Sequence, residues 1–598
     1  ATMPPAHSRE FDVMGGFRRP IHVTFFLLPL LFQSLPASAM ATATKRIVVW
    51  FKGTGDLRLH DNPLLARAAE LAQQHGPNVE VVPAFVFDPF FMGESRLGSP
   101  KIGPQRARFL VESVADLRRQ LREGAQSDLL VGHGKPEHIL GPLIASSPGD
   151  AVLLTSDEVA SEERAAMRRV RAALKDCGKP CAVEALWMST MYHPDDLPYP
   201  NIGRLHNLFT PFREKVEKEA TPRNQAPTPN RGDLPLPASK ASLQSPAASF
   251  DALPSLSDLG IPEPVDDPRA VMRFQGGETA ALARLKHYLW DTDCLAKYFE
   301  TRNGMIGPDY SSKFSPWLAH GCLSPTLVAE ECAKYEHERV KNKSTYWLVF
   351  ELLWRDFFRF FALKHDTAIF LPGGIAGEHP EWTKGHEAEE KVRRWKAGQT
   401  GLPLVDANMR ELAATGFMSN RGRQNVASYL ALDLNIDWRI GADHFESLLL
   451  DYDVASNWGN WIFAAGLTGK RVSQFNIVKQ SKDYDPNGEY ARLWCPELAK
   501  VPNQYIHTPW EMPPDVQERS GVRIGEDYPA PLAIPPGYAF GGGGRAGGRG
   551  GGGRGSSGGR SLGAPAGKRP QGAYGNGRGG GGGGRRPRGG RVQHYHGD

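Results

Sequence analysis

With 598 residues the chain has room for roughly three or four domains of ordinary size. Its 40% apolar and 23% charged composition suits a folded soluble protein, while 65 Gly and 48 Pro exceed what compact structure needs. Removing the eleven Lys and Arg and the single acid (Asp598) of 540–598 from the 71 basic and 66 acidic residues leaves 60 against 65, so the basic excess belongs to the C-terminal stretch. A body that is net negative excludes a surface coated throughout by nucleic acid, and any basic groove must be local. The six Cys (177, 181, 294, 322, 332 and 495) form neither a disulfide framework nor a zinc spacing, which points to a reducing compartment.

The segment RRPIHVTFFLLPLLFQSLPASA within 1–44 has the paired Arg, apolar run and small-residue end of a secretory signal. Two readings compete with export: an organelle-targeting presequence, or an upstream extension with Met40 as the working start. The apolar run, broken by Pro29, is too short for a membrane span.

RIVVWF (46–51), VEVVPAFVF (79–87), DLLVGHG (128–134) and AVLLTS (151–156) read as strands, and helical stretches such as 63–75 separate them. That alternation predicts a Rossmann-like α/β domain with a parallel sheet over 45–195. The Pro-, Ser- and Ala-rich text that follows predicts an interdomain linker within 196–270. From 271 to 510 helical periods dominate, so the second domain is expected to be all-α, with an extended segment at 511–539. The Gly/Arg low-complexity tail 540–598 cannot bury enough apolar surface to fold and is expected to be disordered.

Three constellations stand out. A helix over about 345–365 carries Tyr346, Trp347, Trp354 and a run of Phe on nearly every side, so Glu351, Arg355 and Asp356 need partners or a ligand. In GFMSNRGRQNVAS, Asn420, Arg421, Arg423 and Gln424 stand at a helix start, where free N–H groups favour anions; Asp451 of DYDVASN is a candidate partner for Arg423. In DYSSKFSP, Ser311, Ser312 and Ser315 with Lys313 offer hydroxyls and a charge to a pyrophosphate. Taken singly, each also reads as ordinary structure: a solvated i,i+4 pair, an interior ion pair and a Ser-rich turn.

YFETRNGMIGPDYSSKFSPWLAHGCLSP, TYWLVFELLWRDFFRFFALK, GLPLVDANMRELAATGFMSNRGRQNVASYLALDLNIDWRIGADHFESLLLDYDVASNWGNWIFAAG and EYARLWCPELAKVPNQYIHTPW resemble, in order, the photolyase/cryptochrome family, in its DASH branch of plant type. The resemblance implies that the helical domain binds FAD and moves one electron under blue or near-UV light. By motif position Tyr298, Ser311, Ser312, Ser315 and Arg355 would contact the cofactor, Arg423 and Asp451 would pair beside it, and Asp453 would lie close by. Asn457 matches the residue facing flavin N5, where a neutral amide avoids a second negative charge; an Asn capping the following helix is compatible with that role. Trp461 and Trp438 match the inner and middle members of the family's electron-hopping chain. Trp382 is taken as the outer member and Trp395 as its rival, because the segment between them is about three residues longer than usual.

Substrate expectations follow the same resemblance. Glu351, Asn420 and Gln424 match positions facing a cyclobutane pyrimidine dimer flipped from the strand, with Trp354 against the lesion, and extrusion is easiest from single strands. Gln424 replaces the Met usual in double-strand enzymes, and the paired His of a (6-4) photolyase is absent. Glu158 matches the acid that contacts a 5,10-methenyltetrahydrofolate antenna; a solvated Glu at a helix start competes. The first turn, WFKGTGDLRLHDNP, carries extra residues relative to the family pattern.

The expected partners are single-stranded DNA with pyrimidine dimers and, through the RGG-type tail, RNA or single strands held by phosphate contact and stacking; a plain flexible spacer is the competing view of the tail. A monomer without membrane association is expected. The resemblance implies chloroplast or mitochondrion, with nucleus or cytoplasm the alternative if Met40 is the start. Dimer repair is the first expectation; a photoreceptor with an RNA-binding tail and a nucleic-acid-binding protein with a vestigial flavin are the alternatives.

Overall fold

The β-branched runs near the N-terminus assemble first. β1 (Lys45–Phe51) lies between β2 (Val79–Phe87) and β4 (Ala151–Ser156), with β3 (Leu130–His133) and β5 (Cys181–Leu186) outside them, all parallel. β1, β2 and β4 are buried on both faces, which is why they read as unbroken apolar runs. β5, CAVEAL, was not among the expected strands; it is a half-exposed edge strand with one β-branched residue. The computed structural model describes residues 44–469 and 474–534, so the expectations for 1–43 and for the tail lie outside the described residues.

Helices cover both faces of the sheet and generate two cores. A smaller one, around Val48, Leu153 and Ile144, lies under the helices Pro136–Ala145 and Ser161–Asp176. The larger one runs from the opposite face, through Leu57 and Phe109, into Trp317 and Phe357 of the helical half. The α/β and helical halves therefore form one compact unit.

The Pro- and Ser-rich stretch between them packs closely. Its helix Phe209–Glu219 buries Phe212 and Val216, and Ala248–Ser249 (β6) adds a short antiparallel edge by pairing Gly132 with Ala248. After the helical half the chain folds back, where the buried Tyr528 donates its hydroxyl to Asp406 at 2.6 Å.

The helix Lys343–His365 is the spine of the helical half. It starts in a reciprocal cap: Asn342 Oδ1 accepts the Ser344 and Thr345 N–H groups at 2.8 and 3.1 Å, and Thr345 Oγ1 accepts the Asn342 N–H at 3.1 Å. Against it packs the helix Val454–Ala464, and the contact is close because position 459 is Gly; a Cβ there would stand 2.4 Å from the Phe358 ring.

Candidate functional site

Asp356 and Arg355, set among aromatic side chains, find their partners across the seam between the two halves. The fully buried Asp356 carboxylate accepts the Met191 and Tyr192 N–H groups at 3.1 and 3.0 Å; burial pushes its pKa up to about 7. Arg355 donates to the Leu318 carbonyl at 2.9 Å and to the Ser189 carbonyl, and makes no ion pair within 4 Å among the described residues. It is a half-buried cation aimed at carbonyl oxygens, and desolvation lowers its pKa.

The Ser-rich loop is a second cationic wall. Arg284 ties it down through the Ser312, Ser311 and Pro308 carbonyls at 3.0, 3.2 and 3.1 Å, leaving the hydroxyls to face elsewhere. Ser312 is buried and Ser315 half-buried, and neither hydroxyl is used in a hydrogen bond among the described residues. Lys313 is 3% exposed and adopts φ +57°, a left-handed conformation that costs a non-glycine residue energy and marks an over-determined site. Its ammonium lies 3.4 Å from Ser311 Oγ and 3.2 Å from the Tyr310 ring centroid, again without an ion pair among the described residues. Burial, aided by Arg284, lowers its pKa to about 7. A buried Lys313 and a half-buried Arg355, neither in an ion pair within 4 Å among the described residues, fit an anionic pyrophosphate beside spare hydroxyls.

Arg423 and Asp451 meet as expected from their types. Arg423 Nη2 lies 2.9 and 2.8 Å from the two Asp451 oxygens, and its Nε donates to the Met418 carbonyl at 3.0 Å. Asp453 is the cap of the helix Val454–Ala464, accepting the Ser456 N–H at 2.7 Å. Burial pushes its carboxyl up, but the Arg359 and Arg355 guanidiniums outweigh it and hold the pKa below the ordinary range. Asn457 is therefore not a capping residue. It sits buried one turn inside the helix, with its amide N–H donated to the Ala442 carbonyl at 2.9 Å.

Trp461 is buried against Phe445 and Trp395, at ring-centroid distances of 5.1 and 6.2 Å. It lies over Gly441, where a Cβ would stand 2.1 Å from the indole, and so touches the helix that begins at Trp438. Trp438 is fully buried and donates its indole N–H to the Pro372 carbonyl at 3.1 Å. Trp382 is tied to the same neighbourhood through its chain neighbours: Thr383 N donates to the Asn435 carbonyl at 2.9 Å, and Asn435 Nδ2 to the Glu381 carbonyl at 3.0 Å. Trp395, the rival, is a fully buried core residue in direct contact with Trp461.

The rim combines acid and base. Glu351 Oε1 accepts from Arg302 at 2.7 Å and from the Trp347 indole at 3.1 Å, leaving Oε2 for a ligand; burial raises its pKa against the pull of Arg302. Tyr298 is buried nearby, its hydroxyl pushed well above the ordinary range by burial and by Glu351. Gln424 accepts from Arg421 at 2.9 Å, and Arg421 also donates to Asn303 at 3.1 Å. Asn420 is exposed at the first position of its helix. Trp354, expected against a lesion, is stacked face to face on Phe209 at 3.7 Å. Glu158, for which a solvated face was the competing expectation, is buried and paired with Arg359 at 2.9 Å.

Sequence reasoning passed over Arg302 and Arg359. Arg302 and Arg359 each carried a signal, standing four residues after Tyr298 and Arg355 and so falling on the same helical face.

Comparison with known proteins identifies the two halves. Residues 47–231 match the family model described as DNA photolyase, and 347–534 match the FAD binding domain of DNA photolyase. A chloroplastic/mitochondrial cryptochrome DASH of Ostreococcus tauri is 49% identical over 511 residues, spanning 82% of this chain and 90% of that one. The cryptochrome DASH of Gloeobacter violaceus is also 49% identical, over 82% of this chain and 93% of its own. Among solved structures, a Synechocystis cryptochrome superposes with TM-score 0.74 at 43% identity, covering 83% and 97% of the two chains. A class III photolyase from Agrobacterium tumefaciens gives 0.67 at 29% identity, covering 83% and 96%. The chain belongs to the photolyase/cryptochrome family, in its DASH branch, and its helical half is an FAD-binding domain.

Proposed function

We propose that this protein is a blue-light-driven lyase that splits cyclobutane pyrimidine dimers, preferentially in single-stranded DNA. The observation that carries the reading is the rim, where Glu351 keeps one carboxylate oxygen free beside Arg302, with Gln424 held by Arg421. Reduced FAD, when bound, supplies the photoexcited electron and takes it back. Glu351 Oε2 accepts an imide N–H or, when protonated, donates to a thymine carbonyl. Arg302 and Arg421 offer positive charge to the strand, and Asn420 and Gln424 give amide contacts to the extruded bases. Lys313, Ser311, Ser312, Ser315 and Arg355 hold the cofactor's pyrophosphate, Tyr298 packs beside it, and Asn457 keeps the flavin N5 side uncharged.

Trp461, Trp438 and Trp382 carry electrons from the surface to an oxidised cofactor. Glu158 is assigned to the side of the α/β half that takes a methenyltetrahydrofolate antenna. The Arg-spaced Gly tail binds RNA or unpaired strands through phosphate charge, with strong salt dependence. Algal and plant relatives named chloroplastic/mitochondrial support an organellar address. Among the described residues no helix is long and apolar enough to cross a membrane.

Illumination of protein with reduced FAD and a dimer-containing single strand tests the reading: thymine absorbance returns if it holds. A blue-light photoreceptor is the second reading, favoured by the cryptochrome names of its relatives. It takes the lead if absorbance does not return while Trp-dependent photoreduction persists. Deleting 540–598 should weaken single-strand and RNA binding and flatten its salt slope, with flavin content unchanged; an unchanged slope makes the tail a spacer.

A further inference from the structure

Arg359 stands one turn beyond Arg355 on the central helix and is 3% exposed. Its Nη2 donates to Glu158 Oε2 at 2.9 Å and to the Asp157 carbonyl at 3.3 Å, while Nη1 lies 3.8 Å from Asp453 Oδ2. Both carboxylates are anchored at their far ends. Glu158 Oε1 accepts the Thr54 hydroxyl, and Asp453 Oδ1 accepts the Ser456 N–H at the start of the helix that carries Asn457 and Trp461. Thr54 belongs to the first turn of the α/β half, which Asp56 holds by accepting the Lys52 and Gly53 N–H groups at 2.9 and 2.8 Å. One cation is thus shared between the buried Glu158 and the half-buried Asp453, one acid from each half of the molecule.

We propose that Arg359 is a positioning residue that divides its charge between Glu158 and Asp453, so that the charge at Glu158 in the α/β half sets the field in the flavin cavity. The inference rests on the reading that the helical half holds FAD. A buried charge is only weakly screened, so a change on one acid is felt by the other. Neutralising Glu158 turns the whole of Arg359 toward Asp453 and makes the cavity more positive. Neutralising Arg359 leaves two acids with less compensation and makes it more negative. A side chain that only fills space has no reason to produce opposite signs.

The test is the reduction potential of FAD in the full-length protein. Glu158→Gln should favour reduced flavin and Arg359→Gln oxidised flavin, each by tenfold or more in the equilibrium, about 30 mV for a two-electron couple. Arg359→Lys, which keeps the charge, should fall between wild type and Arg359→Gln. Shifts of the same sign, or none, in variants that retain FAD overturn the proposal. If Arg359→Gln does not fold, Glu158→Gln decides alone, and anything but a shift toward reduced flavin counts against the bridge. Wild-type protein that refuses FAD sinks the cofactor reading instead. The bridge is then judged on flavin-free protein by a double-mutant cycle over Arg359 and Glu158 in urea unfolding: non-additive losses sustain it and additive losses overturn it.

Discussion

The seam between the halves and the residues assigned to the flavin and substrate use the same residue types to opposite ends. At the seam, Asp356, Glu158 and Arg359 spend their charge on neighbours in the other half. At the residues assigned to the flavin and substrate, Lys313, Ser312, Ser315 and Glu351 Oε2 keep hydrogen-bonding capacity in hand, and Lys313 and Arg355 form no ion pair within 4 Å among the described residues. A closed network fixes geometry, and an open one waits for a ligand. Substitutions in the first should therefore cost stability, and in the second binding or rate.

The largest effect should come from the pair that belongs to both. Arg423→Leu leaves the buried Asp451 uncompensated and should cost about 3 kcal/mol in urea unfolding, with loss of bound flavin; unchanged stability would make the pair ornamental. Lys313→Met separates the two classes most cleanly. It removes an unpaired buried charge, so flavin-free protein should be as stable as wild type or more so. FAD affinity should fall about tenfold or more, the worth of a charge-assisted hydrogen bond, and a stability loss without an affinity loss would move Lys313 into the closed class. Glu351→Gln should lower repair about tenfold at unchanged flavin content, and equal repair would remove Glu351 from the substrate side.

A smaller effect concerns pH. Glu411 is buried with one oxygen on the Tyr490 hydroxyl at 2.6 Å, and burial pushes its pKa up to about 8 from 4.5. The folded state therefore binds a proton more tightly than the unfolded chain, so this group's contribution to stability is full below pH 4.5 and is lost as pH rises through 8. The melting-temperature difference between Glu411→Gln and wild type should move in favour of the variant between pH 5 and 8; a flat difference refutes the shift. Finally, Trp461→Phe should slow photoreduction of oxidised FAD while sparing repair by pre-reduced protein, and equal photoreduction takes Trp461 out of the chain.

The two classes were unequally legible in the sequence. The central strands declare themselves as β-branched runs because both faces are buried, whereas β5 and the two residues of β6 lack the period or length to stand out. The need of Asp356 for a partner could be argued from its aromatic surroundings, but Met191 and Tyr192 lie 165 and 164 residues away and no local pattern names them. The same distance hides Arg359 from Glu158, 201 residues apart, and leaves Glu158 looking like a solvated helix-start acid. Asn457 looked able to cap the following helix because Asn is a favoured cap residue, but the backbone gives the cap to Asp453, four residues earlier. The open residues are easier to read because they cluster in short motifs, with Ser311, Ser312, Lys313 and Ser315 on one loop and Asn420 to Gln424 on one helix start.

The central claim is that the open set of residues serves a light-driven reaction on a damaged strand. Full-length protein reconstituted with FAD, reduced and illuminated with a single-stranded oligonucleotide carrying thymine dimers, should restore thymine absorbance in the light and leave it unchanged in the dark. Stoichiometric bound FAD with no recovery under illumination would contradict the account.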